Sequence, residues 1–361
     1  MKISRTFTYK LKISKKEASE LDTILAKTTF CYNLYLYYIK NHYDAHQKLI
    51  PLKQMLQQLP IFQKKHTKLQ NINIVYLNSC VVNMFYTLSN ANLRHSFPAY
   101  EKDADKIILL RGFSINQHEN HLSIPDLSPI TYGNSRPFTG HVSAVQLIKK
   151  IDGWFMHVIL SQEIQPPPQK KEITFLGIDV GLKDFAILSN GTKVSNPRFY
   201  RTMEEKLKKE QKSLARKERN SSNWSKQLYK VQKVHKKIYH SRMNFLHQLT
   251  TYLTNEYDVI GIEKLSIAEM KQNRRLSKSI HDASWGLFVK LLKYKATERG
   301  KHVIEVSRYF PSTKTCSKCG NKEIIPLHLR TFKCSKCHFR IHRDYNAAMN
   351  IELEAKRLFN Q

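Results

Sequence analysis

An α/β multidomain protein is predicted on three observations. Strand-like alternation and helical periodicity trade places several times along the chain. A proline-rich tract divides it near the middle, and the C-terminal part carries two C-x-x-C pairs beside isolated acids in apolar runs. With 361 residues, 41% hydrophobic and 11% aromatic, the chain is long enough for roughly two to four domains.

The elements follow in order. Residues 3 to 13 put Ile3, Phe7, Tyr9, Leu11 and Ile13 on one side, Arg5 being the exception, as in a half-buried strand. From Ser14 to about Leu93 the period turns helical. One stripe holds Leu21, Ile24, Leu25, Thr28 and Tyr32, another Val75, Val82, Phe85 and Leu88, and Pro51 and Pro60 are expected to bracket a break between them. Strands return from Lys106 to Ile164, where Asp152-Gly153 between two apolar runs reads as a hairpin turn. A helical insert thus interrupts a small β module.

QPPPQKKE, residues 165 to 172, suits neither sheet nor helix and reads as a linker. Beyond it, TFLGIDVGLKDFAILSNGTKV gives two strands joined through Gly181-Leu182-Lys183-Asp184 and a third around Val194. Between Arg201 and Arg242 fourteen basic residues meet four acidic ones, while Trp224, Leu228, Val231, Ile238, Phe245, Leu249 and Leu253 keep a helical stripe. A solvated helix face is the plain reading. A cationic rail for phosphates, projecting from an anchored helix, is favoured over it.

Net charge points the same way. Sixty Lys and Arg against 29 Asp and Glu leave +31 and an isoelectric point near 9.8, so nucleic acid is the expected partner. A membrane surface is the rival, but the basic residues are spread along the chain and no apolar run of about 18 residues occurs. The N-terminus alternates where a signal peptide would be continuously apolar, so a cytoplasmic, nucleoid-associated prokaryotic protein is expected.

Three acids stand where an acid needs a reason. Asp179 lies inside the apolar run FLGIDVG, Glu263 ends DVIGIEKL, and Asp344 opens a helix with Ala347, Ala348 and Ile351 on its inner face. Singly, each has an ordinary explanation: a strand-end carboxylate on a backbone amide, or a helix cap. In an RNase H type of sheet, whose first and fourth strands are adjacent, Asp179 and Glu263 are neighbours and a C-terminal helix can bring up Asp344. Carboxylates within about 4 Å repel by several kcal/mol even at an effective dielectric near 20, and Mg²⁺ or Mn²⁺ resolves the conflict. Two such ions suit in-line phosphodiester displacement.

Cys316-x-x-Cys319 and Cys334-x-x-Cys337, fourteen residues apart, predict a tetrahedral Zn²⁺ ribbon, with a redox pair as the weaker alternative. His338 and His342 read as exposed ribbon or rim residues, and Cys31 and Cys80 as core.

GIDVGLKDFAIL, DVIGIEKL, SKSIHDASWGLFVKLLKYKA, FPSTKTCSKCG and RDYNAAMNI, in this order and spacing, resemble the RuvC-like nuclease domain of the transposon-encoded TnpB proteins, relatives of compact type V CRISPR effectors. The match covers about 172 to 361, whereas the N-terminal half agrees in layout only. The resemblance implies a RuvC-like, RNase H-like nuclease domain (173–315 and 338–361) with an inserted zinc ribbon (316–337). It further implies a linker at 166–172 and an N-terminal β-barrel-like wedge module (1–13 and 96–165) interrupted by a helical recognition insert (14–95).

By the same resemblance the protein is an RNA-guided DNA endonuclease that uses a guide RNA from its own element. It recognises a short motif beside the target and cuts DNA at one Mg²⁺-dependent site. Double- and single-stranded DNA and no membrane are the expected partners, and the oligomeric state is left open, with one monomer per RNA expected. Asp179, Glu263 and Asp344 are then the catalytic metal ligands, and Cys316, Cys319, Cys334 and Cys337 the zinc ligands. Nucleic acid is assigned to Lys208, Lys212, Arg216, Lys226, Lys230, Lys233 and Lys237. Asn83, in LNSCVVNMFYTL, matches a position often held by glutamine near the target-adjacent motif. His342 departs from the family, where many members carry aspartate two places before the last acid; that bears on local metal affinity and optimum pH. A guided binder that represses without cutting and an unguided nuclease remain as alternatives.

Overall fold

The computed structural model describes residues 2–90, 97–163, 172–326 and 329–361. Except for Glu172, the expected linker lies outside them, as do the last residues of the helical stretch, 91–93. The chain forms two compact units, Met1–Ile164 and Gln165–Gln361.

Unit one begins with β1 (Lys2–Lys12), followed by the helices α1 (Lys15–His46), α2 (Leu52–Lys65) and α3 (Ile74–Ser89). The remaining strands are β2 (Lys106–Leu109), β3 (Ser114–Asn116), β4 (His121–Ser123), β5 (Ile130–Gly133), β6 (His141–Lys150) and β7 (Gly153–Glu163). All pair antiparallel in the order β2-β6-β7-β1-β5-β4-β3. β1 lies inside this sheet, between β7 and β5, so the helices are an insertion into a wedge-like half-barrel.

Ser14 starts α1 with a reciprocal capping box: its hydroxyl accepts from the Glu17 N–H at 3.2 Å, and the Glu17 carboxylate accepts from the Ser14 N–H at 2.6 Å. Two expectations need correction. Pro51 and Pro60 do not bracket a break, because Pro51 is the cap of α2 and Pro60 lies within that helix. Burial of Met55 and Leu59 holds the helix together across the backbone donor that Pro60 lacks. On α3 the buried stripe is Tyr76, Leu77, Val81, Met84 and Leu88, rotated from the Val75–Val82–Phe85 line. The tyrosine decides the rotation, since its ring is core and its hydroxyl reaches the Pro125 carbonyl at 2.7 Å.

Unit two opens with β8 (Phe175–Val180), β9 (Asp184–Leu188) and β10 (Lys193–Ser195), then a long basic hairpin of α4 (Phe199–Ala215) and α5 (Ser222–Glu256). Next come β11 (Val259–Glu263), α6 (Ile267–Gln272), α7 (Arg274–Ala283), α8 (Trp285–Glu298) and β12 (His302–Val306). A small hairpin, β13 (Thr331–Lys333) with β14 (Arg340–His342), leads into α9 (Arg343–Phe359). The five-stranded sheet runs β10-β9-β8-β11-β12, with β8, β11 and β12 parallel and β9 and β10 antiparallel, the mixed order of an RNase H-like sheet. Leu176 and Ile178 of β8 and Ile260 and Ile262 of β11 join Leu246, Leu253, Trp285, Phe288 and Leu292 in one core. Among the described residues no helix is long and apolar enough to cross a membrane.

Candidate active site and metal centre

Side chains alternate along a strand, so the residues between the core-facing isoleucines point to the opposite face. On β8 these are Gly177 and Asp179; on β11 they are Gly261 and Glu263. Gly177 and Gly261 are register partners in the parallel pair, so the two G-I-acid triplets lie side by side and their acids leave the same strand ends. The glycines make room for α9. A Cβ on Gly177 would stand 2.0 Å from the Ala348 carbonyl oxygen, and one on Gly261 2.6 Å from the Ala355 methyl. The helix backbone therefore lies directly on the sheet, and its first turn brings Asp344 into one pocket with Asp179 and Arg330.

Asp344 is not a helix cap, since that place belongs to His342. Its Oδ2 meets Arg330 Nη1 at 3.3 Å and its Oδ1 meets Arg343 Nε at 3.2 Å. Burial, then the charges of Asp344 and Glu263, push the Asp179 carboxyl up to about 8 against the opposing pull of Arg343 and Arg330. Burial also raises Glu263. The ionised form of Asp179 is thus disfavoured by its burial and by the charges of the other two acids.

The thiols of Cys316, Cys319, Cys334 and Cys337 all lie within 4.8 Å of one another, with Sγ–Sγ separations of 3.7 Å for Cys316–Cys337 and 3.5 Å for Cys319–Cys334. Four sulfurs at ~2.3 Å from a common centre stand ~3.8 Å apart, so these four cysteines could hold one metal ion. The two knuckles share a backbone: the residue after each second cysteine is left-handed, Gly320 at φ 76° and His338 at φ 57°. His338 is exposed and holds a turn position. His342 is half-buried, and its Nδ1 is enclosed without a hydrogen-bond partner.

The ribbon is fastened to α9 by residues the sequence reading passed over. Buried Asn346 donates to the Thr315 carbonyl at 2.6 Å and accepts from the Ser317 N–H at 3.0 Å; Asn350 donates to the Ser312 and Thr315 carbonyls, each at 2.7 Å. Their four-residue spacing in RDYNAAMN was the available signal, because it stacks both amides on one helical face. Asp282 was also missed. It is buried, accepts from the Tyr200 N–H at 2.9 Å and pairs with Arg242 at 3.1 Å, tying both helices of the basic hairpin to α7.

That hairpin closes on Leu207, Val231, Val234 and Ile238. Lys208, Lys212 and Arg216 of the α4 side, and Lys226, Lys230, Lys233 and Lys237 of α5, were all assigned to nucleic acid, and the first three line one groove together with Lys209 and Lys217. Lys208, Lys212, Arg216, Lys226, Lys230, Lys233 and Lys237 are all exposed on these two helices and the turn between them. In unit one, Asn83 is half-buried and borders a cavity of about 130 Å³ with Thr28, Tyr32, Tyr76 and Cys80.

A family model described as a probable transposase (OrfB_IS605) matches residues 157–274, and one described as the Cas12f1-like TNB domain matches 285–351. A Streptomyces pristinaespiralis protein, provisionally named as an RNA-guided DNA endonuclease, is 35% identical over 199 residues, covering 55% of this chain and 49% of its own length. The chain thus spans about half of that relative. The Escherichia coli K12 protein InsQ, with the same provisional description, is 26% identical over 97% of this chain and 92% of its own. A solved structure of a Cas12f1–sgRNA–target DNA complex shares the fold, with a TM-score of 0.65 at 14% identity over 94% of this chain and 83% of that one. The chain is thus similar to a probable transposase model over 157–274 and to the Cas12f1-like TNB domain over 285–351, and it shares its fold with Cas12f1 along nearly its whole length.

Proposed function

We propose that the protein is an RNA-guided DNA endonuclease that hydrolyses target DNA at the Asp179–Glu263–Asp344 edge of the unit-two sheet. One observation supports the reading: paired G-I-acid triplets bring Asp179 and Glu263 to the same strand ends, the helix laid on their glycines carries Asp344, and burial with the neighbouring charges raises Asp179 to about 8. Such an all-oxygen donor set fits Mg²⁺ or Mn²⁺, which would supply activation of a water and charge stabilisation at the leaving oxygen. Asp179 and Glu263 are held by adjacent strands and Asp344 by the packed helix, so the ligands are pre-positioned on rigid elements. Arg330 and Arg343 offset part of the negative charge of Asp344.

The four-cysteine cluster fits Zn²⁺, which would hold the ribbon rigid where a hydrophobic core is small. The basic hairpin holds nucleic-acid backbone, unit one with Asn83 reads the target-adjacent motif, and guide pairing chooses the sequence. The named activities of the relatives support this reading, as does their prokaryotic origin for action at a nucleoid.

The test is sequencing of the RNA that co-purifies with the protein, followed by plasmid cleavage in Mg²⁺ by that ribonucleoprotein. One discrete RNA, cutting beside its matched target, and loss of cutting with retained RNA binding in Asp179→Ala are expected. Unchanged cutting by Asp179→Ala refutes the site. Occupancy of the target without any nick refutes the enzyme.

A further inference from the structure

The carboxylate edge is flanked on both sides by loops that the nuclease reading leaves without a role. On the β9 side, Leu182 and Lys183 line the acid pocket and also a second pocket, shared with Asn196, Arg198, Arg201 and Ser279. The acid in that wall, Asp282, is committed to Arg242 and to the start of α4. Three cations, Lys183, Arg198 and Arg201, therefore line a pocket that shares Leu182 and Lys183 with the pocket of Asp179 and Asp344.

On the other side, β12 ends at Val306, the register partner of Glu263, and the chain continues as Ser307-Arg308-Tyr309. Tyr309 is 79% exposed, the most exposed aromatic among the described residues. It is nevertheless braced. The Arg308 guanidinium lies 4.8 Å from its ring centroid and donates to its hydroxyl at 2.6 Å. Arg308 is itself tied to Ser266 Oγ at 2.7 Å and to the Glu269 carboxylate at 3.1 and 3.2 Å. A ring held still yet left open to water offers a face to another π-system, and bases stack on such rings with little regard to sequence.

We infer that an unpaired nucleic-acid strand crosses this edge, with a phosphate seated among Lys183, Arg198 and Arg201, a base stacked on Tyr309, and the three acids between. From β9 to β12 is three strand spacings, about 14 Å, the reach of a few nucleotides. This strand path rests on the nuclease reading for its purpose, but its residues are separate from the acids.

The test uses RNA-loaded protein carrying Asp179→Ala and a short oligothymidylate substituted with 5-iodouracil. Light-induced adducts are mapped by mass spectrometry, and affinity is followed against salt. An adduct on Tyr309 is expected. Tyr309→Ala should weaken binding roughly 5- to 100-fold without altering the salt slope, and Tyr309→Trp should restore it. Lys183→Ala and Arg198→Ala should each lower the slope by about 0.7. Adducts elsewhere with none on Tyr309, or unaltered slopes in both basic variants, overturn the path. Cutting is scored separately in protein with Asp179 intact: binding as stated with no cutting in Mg²⁺ refutes the nuclease reading and leaves the strand path standing.

Discussion

Replacing Asp179 by asparagine should stabilise the protein in the absence of divalent cations, and increasingly so as pH rises. In the folded chain the carboxyl titrates near 8, against about 3.8 when it is free of its neighbours. Between these values the folded state binds more protons than the unfolded one, so stability falls with rising pH by about 1.4 kcal/mol per unit. The cost is absent below the unfolded value and complete above the folded one. From pH 5 to pH 7 it grows by about 2–3 kcal/mol, and the asparagine variant, which has no proton to lose there, escapes it. The assay is thermal or urea unfolding of zinc-loaded protein at several pH values, without Mg²⁺ or Mn²⁺. The gap between variant and wild type should widen with pH, and millimolar Mg²⁺ should narrow it by stabilising the wild type. A gap that is flat from pH 5 to 8 refutes the electrostatic account of the site.

Four further substitutions have expected outcomes. Gly177→Ala drives a methyl into the α9 backbone, so a loss of about 3 kcal/mol in unfolding and a weakened Mg²⁺ response should appear together. Cys319→Ser should release the ribbon metal, seen as zinc content falling from one equivalent toward none, and expose the Thr331–His342 hairpin to protease. Asp282→Ala leaves half-buried Arg242 and the Tyr200 N–H without this partner and should cost about 1–3 kcal/mol, whereas surface Lys230→Ala should leave stability unaltered and reduce the salt slope of nucleic-acid binding.

Some parts of the site were legible because they are local. An acid ending an apolar run and two thiols spaced three apart are visible as residues. Other parts were not. Gly177 and Gly261 read as ordinary strand glycines until β8 and β11 are paired and a helix is laid on them. Arg330 and Arg343 read as two more cations in a chain with sixty. The rotation of α3 went unread because apolar periodicity alone does not tell which of two adjacent stripes a buried tyrosine will anchor. Pro60 was given too much weight, since its missing hydrogen bond is outweighed by the burial of its neighbours.

By itself the sequence determined the residue types at short spacing that point to a class of chemistry, and the excess of charge, unaltered by folding, that points to a class of partner. Only the tertiary structure decided which acids share a field, which face of the sheet they occupy and what stands around them. Those are long-range facts. Asp179 and Asp344 are 165 positions apart in the chain, and what joins them is strand register and the close packing of α9 on two glycines.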